Sequence, residues 1–248
     1  MRFVIKLAFK GTNYHGWQKQ QNAHTVQDEL DEKLSMLLGE KIETLGCGRT
    51  DTGVHASEFF AHFDFDKTID FENLIHKLNH TTSHDIAVYK ITQVDENFNA
   101  RFDAAWREYE YCICTVINPF SAEFAWQFLR KLDVDAMNSA CKILFNYNDF
   151  ECFSKVQTQV NNFKCELMKA EWKIQDDNLI FTIRANRFLR NMVRSIVGTL
   201  IKIGLHEIDE NSLKEIIESK KRSEAGQSVP AHGLYLTKVF YPTLSTKL

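Results

Sequence analysis

Hydrophobic and polar positions in the first half of the chain repeat with the period of strands and of helices in turn. The helix after the first strand has the clearest pattern, because its apolar residues recur at helical spacing between a capping Thr25 and a terminating Gly39. The segment EFFAHFDF (58–65) alternates with the period of a half-buried strand. The predicted elements are strands over 3–9, 42–47, 58–65 and 86–94 and helices over 26–38 and 70–80.

The second half of the chain repeats this β-α-β-β-α-β order. The predicted elements are strands over 107–117, 165–174, 179–185 and 234–241 and helices over 134–146, 187–203 and 209–219. The order is typical of the ferredoxin-like fold. We therefore predict an α+β protein with two ferredoxin-like (RRM-like) lobes, 1–104 and 105–248, that arose as a diverged duplication and have antiparallel sheets. Because no Pro- or Gly-rich linker separates them, we expect a continuous sheet or a tight interface, with a catalytic cleft between the lobes.

Composition is that of an ordinary globular protein. The 248 residues are 44% hydrophobic and 25% charged, which allows a real core and excludes disorder, collagen and coiled coil. Lys6 and Lys10 interrupt the apolar N-terminus, so we expect neither a signal sequence nor a membrane span. The sequence predicts a cytoplasmic protein.

Potential metal ligands and thiols are scattered. The six cysteines form no CxxC pair and no spacing typical of zinc sites, which favours free thiols in a reducing compartment. His15, His55 and His62 belong to no such cluster either, so we interpret them as loop or sheet histidines. We expect no metal and no disulfides.

Charge is segregated along the chain. The formal net charge of −3 argues against binding nucleic acid through bulk charge. Acidic residues dominate 26–43, whereas 184–194 contains four arginines and no acid. On the helix predicted over 187–203, Arg187, Arg190 and Arg194 follow i, i+3, i+7 spacing. This spacing predicts either a phosphate-binding face beside an apolar face or a merely solvated one.

The segment GCGRTDTGVHA (46–56) is the strongest candidate for chemistry. Three glycines and two threonines surround Arg49 and Asp51 on a loop between two predicted strands, and such a loop displays Asp51 on a rigid scaffold. A Walker-type phosphate loop is excluded, because Val54 and a strand follow where Lys-Ser/Thr and a helix are required. Residue types alone leave a catalytic carboxylate and a plain turn as alternatives.

Eight segments of the chain resemble the TruA-type tRNA pseudouridine synthases. GRTDTGVHA is similar to the family signature GRTD(A)GVHA, and the other segments follow in family order over nearly the whole chain. They are YHGWQKQ (14–20), TVQDEL (25–30), NARFDA (99–104), REYEY (107–111), NDFECF (148–153), NRFLRNMVRSIVG (186–198) and GLYL (233–236). The resemblance implies isomerisation of uridine at positions 38, 39 and 40 of the tRNA anticodon arm, by a homodimer and without a cofactor.

The resemblance also implies the roles of individual residues. Asp51 matches the nucleophile, which attacks either uracil C6 or ribose C1′, and Arg194 matches the cation expected to keep it ionised. Tyr109 matches the tyrosine that stacks on the flipped uracil and is the suspected acid-base group for C5, although a strand tyrosine alone would suggest packing. Arg49 matches the arginine that holds the flipped base or fills its vacated place.

Further contacts with the substrate are expected from three residues. Arg187 and Arg190 would bind phosphate from the predicted helix. Trp17 in HGWQ is either an exposed aromatic that contacts the substrate or a hydrophobic plug between its loop and the sheet. The sequence favours neither of these two interpretations of Trp17.

Two departures from the family pattern bear on substrate contact. HTTSHDI (80–86) stands where family members usually have a Leu-Pro pair, which puts the substrate range in question. Glu108 and Glu110 in REYEY stand where basic residues are frequent, and we expect them to weaken local phosphate contact. The alternatives are a paralogue with the same chemistry on another RNA and a noncatalytic RNA-binding module. The set of Asp51, Tyr109 and Arg194 argues against the second of these.

Overall fold

The computed structural model describes residues 1–156 and 162–244. The protein is of the α+β class, as predicted, and its strand pairs are mostly antiparallel. It divides into two compact units: the first contains Met1–Trp106 and the segment from Tyr235 onward, and the second contains Arg107–Leu234. No helix in the described stretches is long and apolar enough to cross a membrane.

The described residues form nine strands and five α-helices. The strands are β1 (Arg2–Phe9), β2 (Leu45–Gly46), β3 (His55–Asp64), β4 (Ile86–Val94), β5 (Trp106–Cys114), β6 (Trp126–Gln127), β7 (Leu167–Gln175), β8 (Asn178–Ala185) and β9 (Leu234–Phe240). The helices are α1 (Val26–Leu38), α2 (Phe71–Thr81), α3 (Val134–Leu144), α4 (Met192–Gly204) and α5 (Glu210–Ser219). Strand β6 lies outside the predicted elements, because two residues cannot show a period.

The sheet of the first unit is built around β1 and β3. Strand β1 pairs antiparallel with β3 on one side and with β4 on the other, and β2 pairs antiparallel with β3. Phe3 of β1 and Phe63 of β3 face each other across the ladder, with ring centroids 5.5 Å apart. Both are buried, and burying each such side chain stabilises the fold by about 1.5–3 kcal/mol.

Helix α1 begins and ends at the residues that the sequence predicts. The Thr25 hydroxyl accepts a hydrogen bond from the Asp28 N–H at 3.2 Å. Gly39 adopts φ 76°, the left-handed conformation that ends the helix. The strand predicted over 42–47 is shorter than expected, because only Leu45 and Gly46 pair with β3.

The final strand differs from its predicted assignment. We expected 105–248 to form one lobe, whereas the segment from Tyr235 onward belongs to the first unit. The physical reason is its pairing, since Tyr235 and Leu236 lie parallel to His55 and Ala56 of β3.

The second unit contains a sheet in which β8 lies between β5 and β7. Both pairs are antiparallel, and the short β6 pairs parallel with β5. Helix α4 is almost entirely buried, and α3 contacts it. The described part of this unit therefore has its own apolar core.

Helix α4 begins later than predicted. The sequence pattern predicts a helix from 187, but the helix starts at Met192 because Asn191 before it adopts φ 68°. A left-handed residue interrupts helical hydrogen bonding. Arg187 and Arg190 therefore precede the helix, and the basic face predicted from i, i+3, i+7 spacing is wrong.

Candidate active site

Asp51 lies on the loop that connects β2 to β3 in the first unit. Its side chain is partly exposed, and the neighbouring Arg49 is exposed. The Val54 N–H donates to the Asp51 carbonyl at 3.1 Å, and Gly53 adopts φ 79°, so the chain turns directly after the aspartate. The loop thus presents a carboxylate at the surface from a tight turn.

The segment 11–17 holds this loop in place. The Trp17 N–H donates to the Thr50 hydroxyl at 3.0 Å, and the Gly53 N–H donates to the Tyr14 carbonyl at 3.3 Å. Thr50 and Gly53, on either side of Asp51, are therefore bonded to the same segment, the first through its side chain and the second through its backbone. Asp51 is thus positioned from outside its own loop.

Trp17 is the hydrophobic plug and not an exposed aromatic. Only 2% of its surface is accessible, and its ring lies 4.2 Å from Phe59 and 6.1 Å from Phe9 between centroids. The expectation that Trp17 contacts substrate is corrected accordingly, because its ring is covered by the sheet. The sequence alone left both interpretations open, since loop residues are exposed or buried according to tertiary packing.

The segment HTTSHDI (80–86), which departs from the family pattern, contributes Ser83 to the support of the Asp51 loop. The Tyr14 hydroxyl donates to Glu29 Oε2 at 2.8 Å and lies 2.6 Å from Ser83 Oγ. Burial raises the pKa of Tyr14, and its hydrogen bond to Glu29 raises it further. Ser83 therefore takes part in a polar network beneath the segment that holds Asp51.

His55 and His62 lie on β3 and are therefore sheet histidines, one of the two predicted settings. His55 Nδ1 accepts a hydrogen bond from the Gly11 N–H at 3.0 Å, and its ring stacks on Tyr235. His62 Nδ1 accepts from the Ala100 N–H at 3.1 Å, and burial lowers the pKa of His62. These contacts tie two ends of β3 to neighbouring segments.

Tyr109 lies on β5 in the second unit and is half-buried. Phe188 contacts it edge-on, with centroids 5.0 Å apart and ring planes at 84°. Phe188 belongs to the NRFLRN segment, which the sequence singled out for its arginines. The sequence pattern does not predict this contact between Phe188 and the Tyr109 ring.

Arg194 lies in the first turn of α4 and is held by the segment around Val229. Its Nε donates to the Val229 carbonyl at 2.7 Å, and the Val229 N–H donates to the Arg194 carbonyl at 3.3 Å. The Tyr111 hydroxyl donates to the next carbonyl, that of Pro230, at 2.9 Å. The backbone at 229–230 therefore joins the helix that carries Arg194 to the strand that carries Tyr109.

The guanidinium of Arg194 influences the pKa values of Tyr111 and His232. Burial raises the pKa of Tyr111, and the positive charge of Arg194 opposes that rise. Burial lowers the pKa of His232, and Arg194 lowers it further. The charge of Arg194, held by the Val229 carbonyl, thus acts on Tyr111 of β5 and on His232.

The other arginines of the 184–194 segment have different surroundings. Arg187 is partly exposed and donates to Asn162 Oδ1 at 3.3 Å, while Arg190 is exposed. Arg184 instead donates from Nε and Nη2 to Glu108 Oε2, at 3.0 and 2.7 Å. The carboxylate of Glu108 is therefore buried and paired within the protein, and its effect on phosphate contact stays a prediction.

Comparison with known proteins identifies the family. The sequence matches the family described as tRNA pseudouridine synthase over residues 6–103 and 140–242, which make up most of the chain. It is 46% identical to a tRNA pseudouridine synthase A of Parabacteroides distasonis over 242 residues, covering 97% of this chain and 96% of that protein. The proteins of the same name from Bacteroides fragilis and Francisella tularensis subsp. novicida are 44% and 37% identical over 243 and 247 residues, covering 97% and 99% of this chain and 96% of each relative. The chain therefore belongs to the tRNA pseudouridine synthase family.

Proposed function

We propose that this protein isomerises uridine to pseudouridine in tRNA, at positions 38, 39 and 40 of the anticodon arm. Asp51 is the nucleophile, Tyr109 stacks on the flipped uracil and serves as the acid-base group at C5, and Arg194 is the cation that stabilises the ionised carboxylate. Arg49 holds the flipped base or occupies the space that it leaves. Arg187 and Arg190 bind tRNA phosphates.

The observation that carries the proposal is the way in which the Asp51 loop is held. The Trp17 N–H bonds the Thr50 side chain before Asp51, and the Tyr14 carbonyl bonds the Gly53 backbone after it. A nucleophile that must approach one carbon atom requires such positioning, because near-attack geometry depends on displacements of about 1 Å. The same loop lies within the first of the two stretches that match the family.

The chemistry requires no oxidant, reductant or external group. The Asp51 carboxylate attacks uracil C6 or ribose C1′, and the C1′–N1 bond breaks. The uracil turns, a C1′–C5 bond forms, and the ester bond between Asp51 and the carbon that it attacked breaks, which regenerates the carboxylate. The C5 proton leaves to a base and N1 gains a proton. Tyr109, with its ring fixed by Phe188, can receive or relay that proton through its hydroxyl. We therefore propose that no cofactor or metal takes part.

The proposal extends to architecture and assembly. In the first unit the strand order β4-β1-β3-β2 supports a ferredoxin-like lobe. In the second, the order β5-β8-β7 supports a related lobe. We propose that the two are a diverged duplication with a boundary near 104. We propose further that the protein works in the cytoplasm as a homodimer.

The test is pseudouridine mapping at nucleotide resolution on unmodified tRNA, with single-turnover tritium release from C5-labelled uridine as the rate. Asp51→Asn preserves shape but lacks the carboxylate, so tritium release is expected to fall to background. Asp51→Glu is also expected to be inactive, because one added methylene displaces the carboxylate by about 1 Å or more. Asp66→Asn, at an aspartate whose side chain is 98% exposed, is the matched control and keeps the wild-type rate.

The outcomes separate the alternatives. Both variants are expected to retain tRNA affinity in filter binding, because arginine contacts to phosphate supply most of it. Substantial tritium release by Asp51→Asn overturns the nucleophile assignment. If the wild-type protein modifies another RNA but not tRNA, it is a paralogue with a different substrate. If it binds tRNA but forms no pseudouridine, it is a noncatalytic module.

A further inference from the structure

The segment 225–230 packs on helix α4 with direct backbone contact. A Cβ on Gly198 would overlap the Gln227 carbonyl oxygen, and a Cβ on Gly226 would lie 2.6 Å from the Gly198 carbonyl carbon. The Gly226 N–H donates to the Thr199 hydroxyl at 2.9 Å. Two glycines thus allow the segment to lie against the helix at the turn that follows Arg194.

Ser228 is the centre of a polar network at the start of the same helix. Its hydroxyl accepts hydrogen bonds from Asn191 Nδ2 at 2.6 Å and from Arg222 Nη2 at 2.9 Å, and it lies 3.3 Å from the Ser195 hydroxyl. Asn191 is the left-handed residue at which α4 begins. The network therefore connects the segment to the residues on both sides of Arg194 in sequence.

Arg222 binds the segment at several points. Besides Ser228, its guanidinium donates from Nη1 to the carbonyls of Ala225 and Gly226, at 3.4 and 3.1 Å. The planar fork of an arginine can satisfy several acceptors in a fixed geometry. Val229 follows Ser228 in the segment, and its carbonyl accepts the hydrogen bond from Arg194 Nε.

We infer that Arg222 is a positioning residue for Arg194, acting through the 225–229 backbone. This inference rests on the proposed function, in which the Arg194 guanidinium stabilises the Asp51 carboxylate. Arg222 is directed onto the segment whose next residue, Val229, holds Arg194. Because the Arg194 Nε donates to the Val229 carbonyl, the Arg194 side chain keeps one rotamer. Its two terminal nitrogens therefore point in one fixed direction.

The expected effect follows from the position of Arg222 in the network. Loss of its guanidinium releases the carbonyls of Ala225 and Gly226 and removes one donor from the Ser228 hydroxyl, so the Val229 carbonyl becomes less fixed. Arg194 then samples several rotamers, so the chemical step slows while contacts that bind tRNA elsewhere stay intact. We expect Arg222→Gln to lower the single-turnover rate by about 10-fold, with an unchanged dissociation constant for tRNA.

A double-variant cycle tests whether the effect passes through Arg194. Lysine at 194 cannot reproduce the Nε bond to Val229, so Arg222→Gln is expected to cause less than a 2-fold further loss in an Arg194→Lys background. Arg130→Gln is the matched control, because Arg130 is an exposed arginine of the same unit that pairs with Glu207 at 3.2 Å. It is expected to keep the wild-type rate in both backgrounds.

A second variant keeps the test informative if Arg222→Gln fails to fold. Ser228→Ala removes the shared acceptor but keeps Arg222, and it is expected to slow the same step with the same dependence on Arg194. Equal fractional losses with Arg or Lys at 194, or a full rate in both Arg222→Gln and Ser228→Ala, overturn the inference. If the wild-type chain forms no pseudouridine, the proposed function fails first, and that result is distinguishable because the variants then have no rate to compare.

Discussion

The backbone of Gly16 lies against the carbonyl of Thr50. A Cβ added to Gly16 would overlap the Thr50 carbonyl oxygen and would lie 3.3 Å from the carbonyl carbon of Asp51. Gly16 also adopts φ 86°, a conformation that L side chains rarely take. Only glycine therefore allows the 11–17 segment to approach the proposed nucleophile this closely.

Gly16→Ala is expected to reduce both activity and stability. The added methyl must displace the Thr50 carbonyl, which carries Asp51 with it, so we expect a loss of about 10²-fold in single-turnover rate. The strain and overlap are expected to lower the free energy of unfolding by about 2 kcal/mol or more. Denaturant unfolding and tritium release measure the two effects separately.

Gly39→Ala is the control for backbone strain alone. Gly39 has a similar φ of 76°, but a Cβ there would meet no atom within 4 Å. The variant is expected to lose about 1 kcal/mol of stability and to keep its rate. A Gly16→Ala protein with the wild-type rate would show that the 11–17 segment does not position Asp51.

Tyr109→Phe separates ring stacking from hydroxyl chemistry. Phenylalanine keeps the ring and its edge contact with Phe188, so tRNA affinity is expected to stay unchanged. The rate is expected to fall about 10²-fold or more, as for the loss of a general acid-base group. Tyr89→Phe, at an exposed tyrosine, is the control. Full turnover by the Tyr109 variant would show that the hydroxyl has no such role.

The elements with local signals were the predictable part of the fold. Thr25 and Gly39 determine where helix α1 begins and ends, because the N-capping preference of threonine and the left-handed preference of glycine act within a few residues. The start of α4 was not predictable, because a left-handed Asn191 is stabilised by side-chain bonds to Ser195 and Ser228. The second partner lies far along the chain, so no local pattern indicates the break.

The sequence proposes residues for the candidate site but does not predict the contacts that support them. Asp51, Tyr109 and Arg194 were identified from the sequence through motifs, whereas Val229 holds Arg194 through a backbone carbonyl, to which any residue type could contribute. The ion pair of Glu108 was not predictable for a related reason. Its charge is compensated by Arg184 across the antiparallel β5–β8 pair, where the two residues lie in register.

Binding of tRNA is expected to be strongly salt-dependent despite the formal net charge of −3. On a plot of log affinity against log salt, Arg187→Ala or Arg190→Ala should each make the slope shallower by about 1 if each arginine contacts a phosphate. Lys142→Ala, on helix α3, serves as a control with an unchanged slope. Affinity that does not change with salt would remove phosphate contact as the source of binding.

The Glu108–Arg184 pair is expected to matter for stability. Arg184→Met leaves a buried carboxylate without this partner, which is expected to lower the free energy of unfolding by about 2 kcal/mol, less than for a fully buried pair because Arg184 is partly exposed. Adding Glu108→Gln should recover part of the loss, since the buried charge is then gone. Chemical denaturation of both variants checks this, and equal stability of Arg184→Met and wild type would contradict it.

Asp31 provides a prediction about pH. Its Oδ1 accepts hydrogen bonds from the Thr44 N–H and hydroxyl at 2.9 and 2.7 Å, yet burial raises the pKa of Asp31 from 3.8 to about 6. Because the folded-state pKa lies above the unfolded one, ionisation of Asp31 opposes folding. This effect is absent below pH 3.8, grows between that pH and about 6, and is complete above the raised pKa.

Asp31→Asn removes the charge and keeps an oxygen for both Thr44 donors. Its stability relative to wild type is therefore expected to increase as pH rises from about 4 to about 6, by roughly 1–2 kcal/mol after allowance for partial solvation. Asp31→Ala is the contrasting variant, because it leaves the Thr44 N–H without this acceptor and should be less stable than Asp31→Asn at every pH. Denaturant unfolding at pH 4, 5, 6 and 7 provides the comparison, in which all other titrating groups cancel between variant and wild type. A difference between Asp31→Asn and wild type that does not change over this range would show that Asp31 titrates normally in the folded protein.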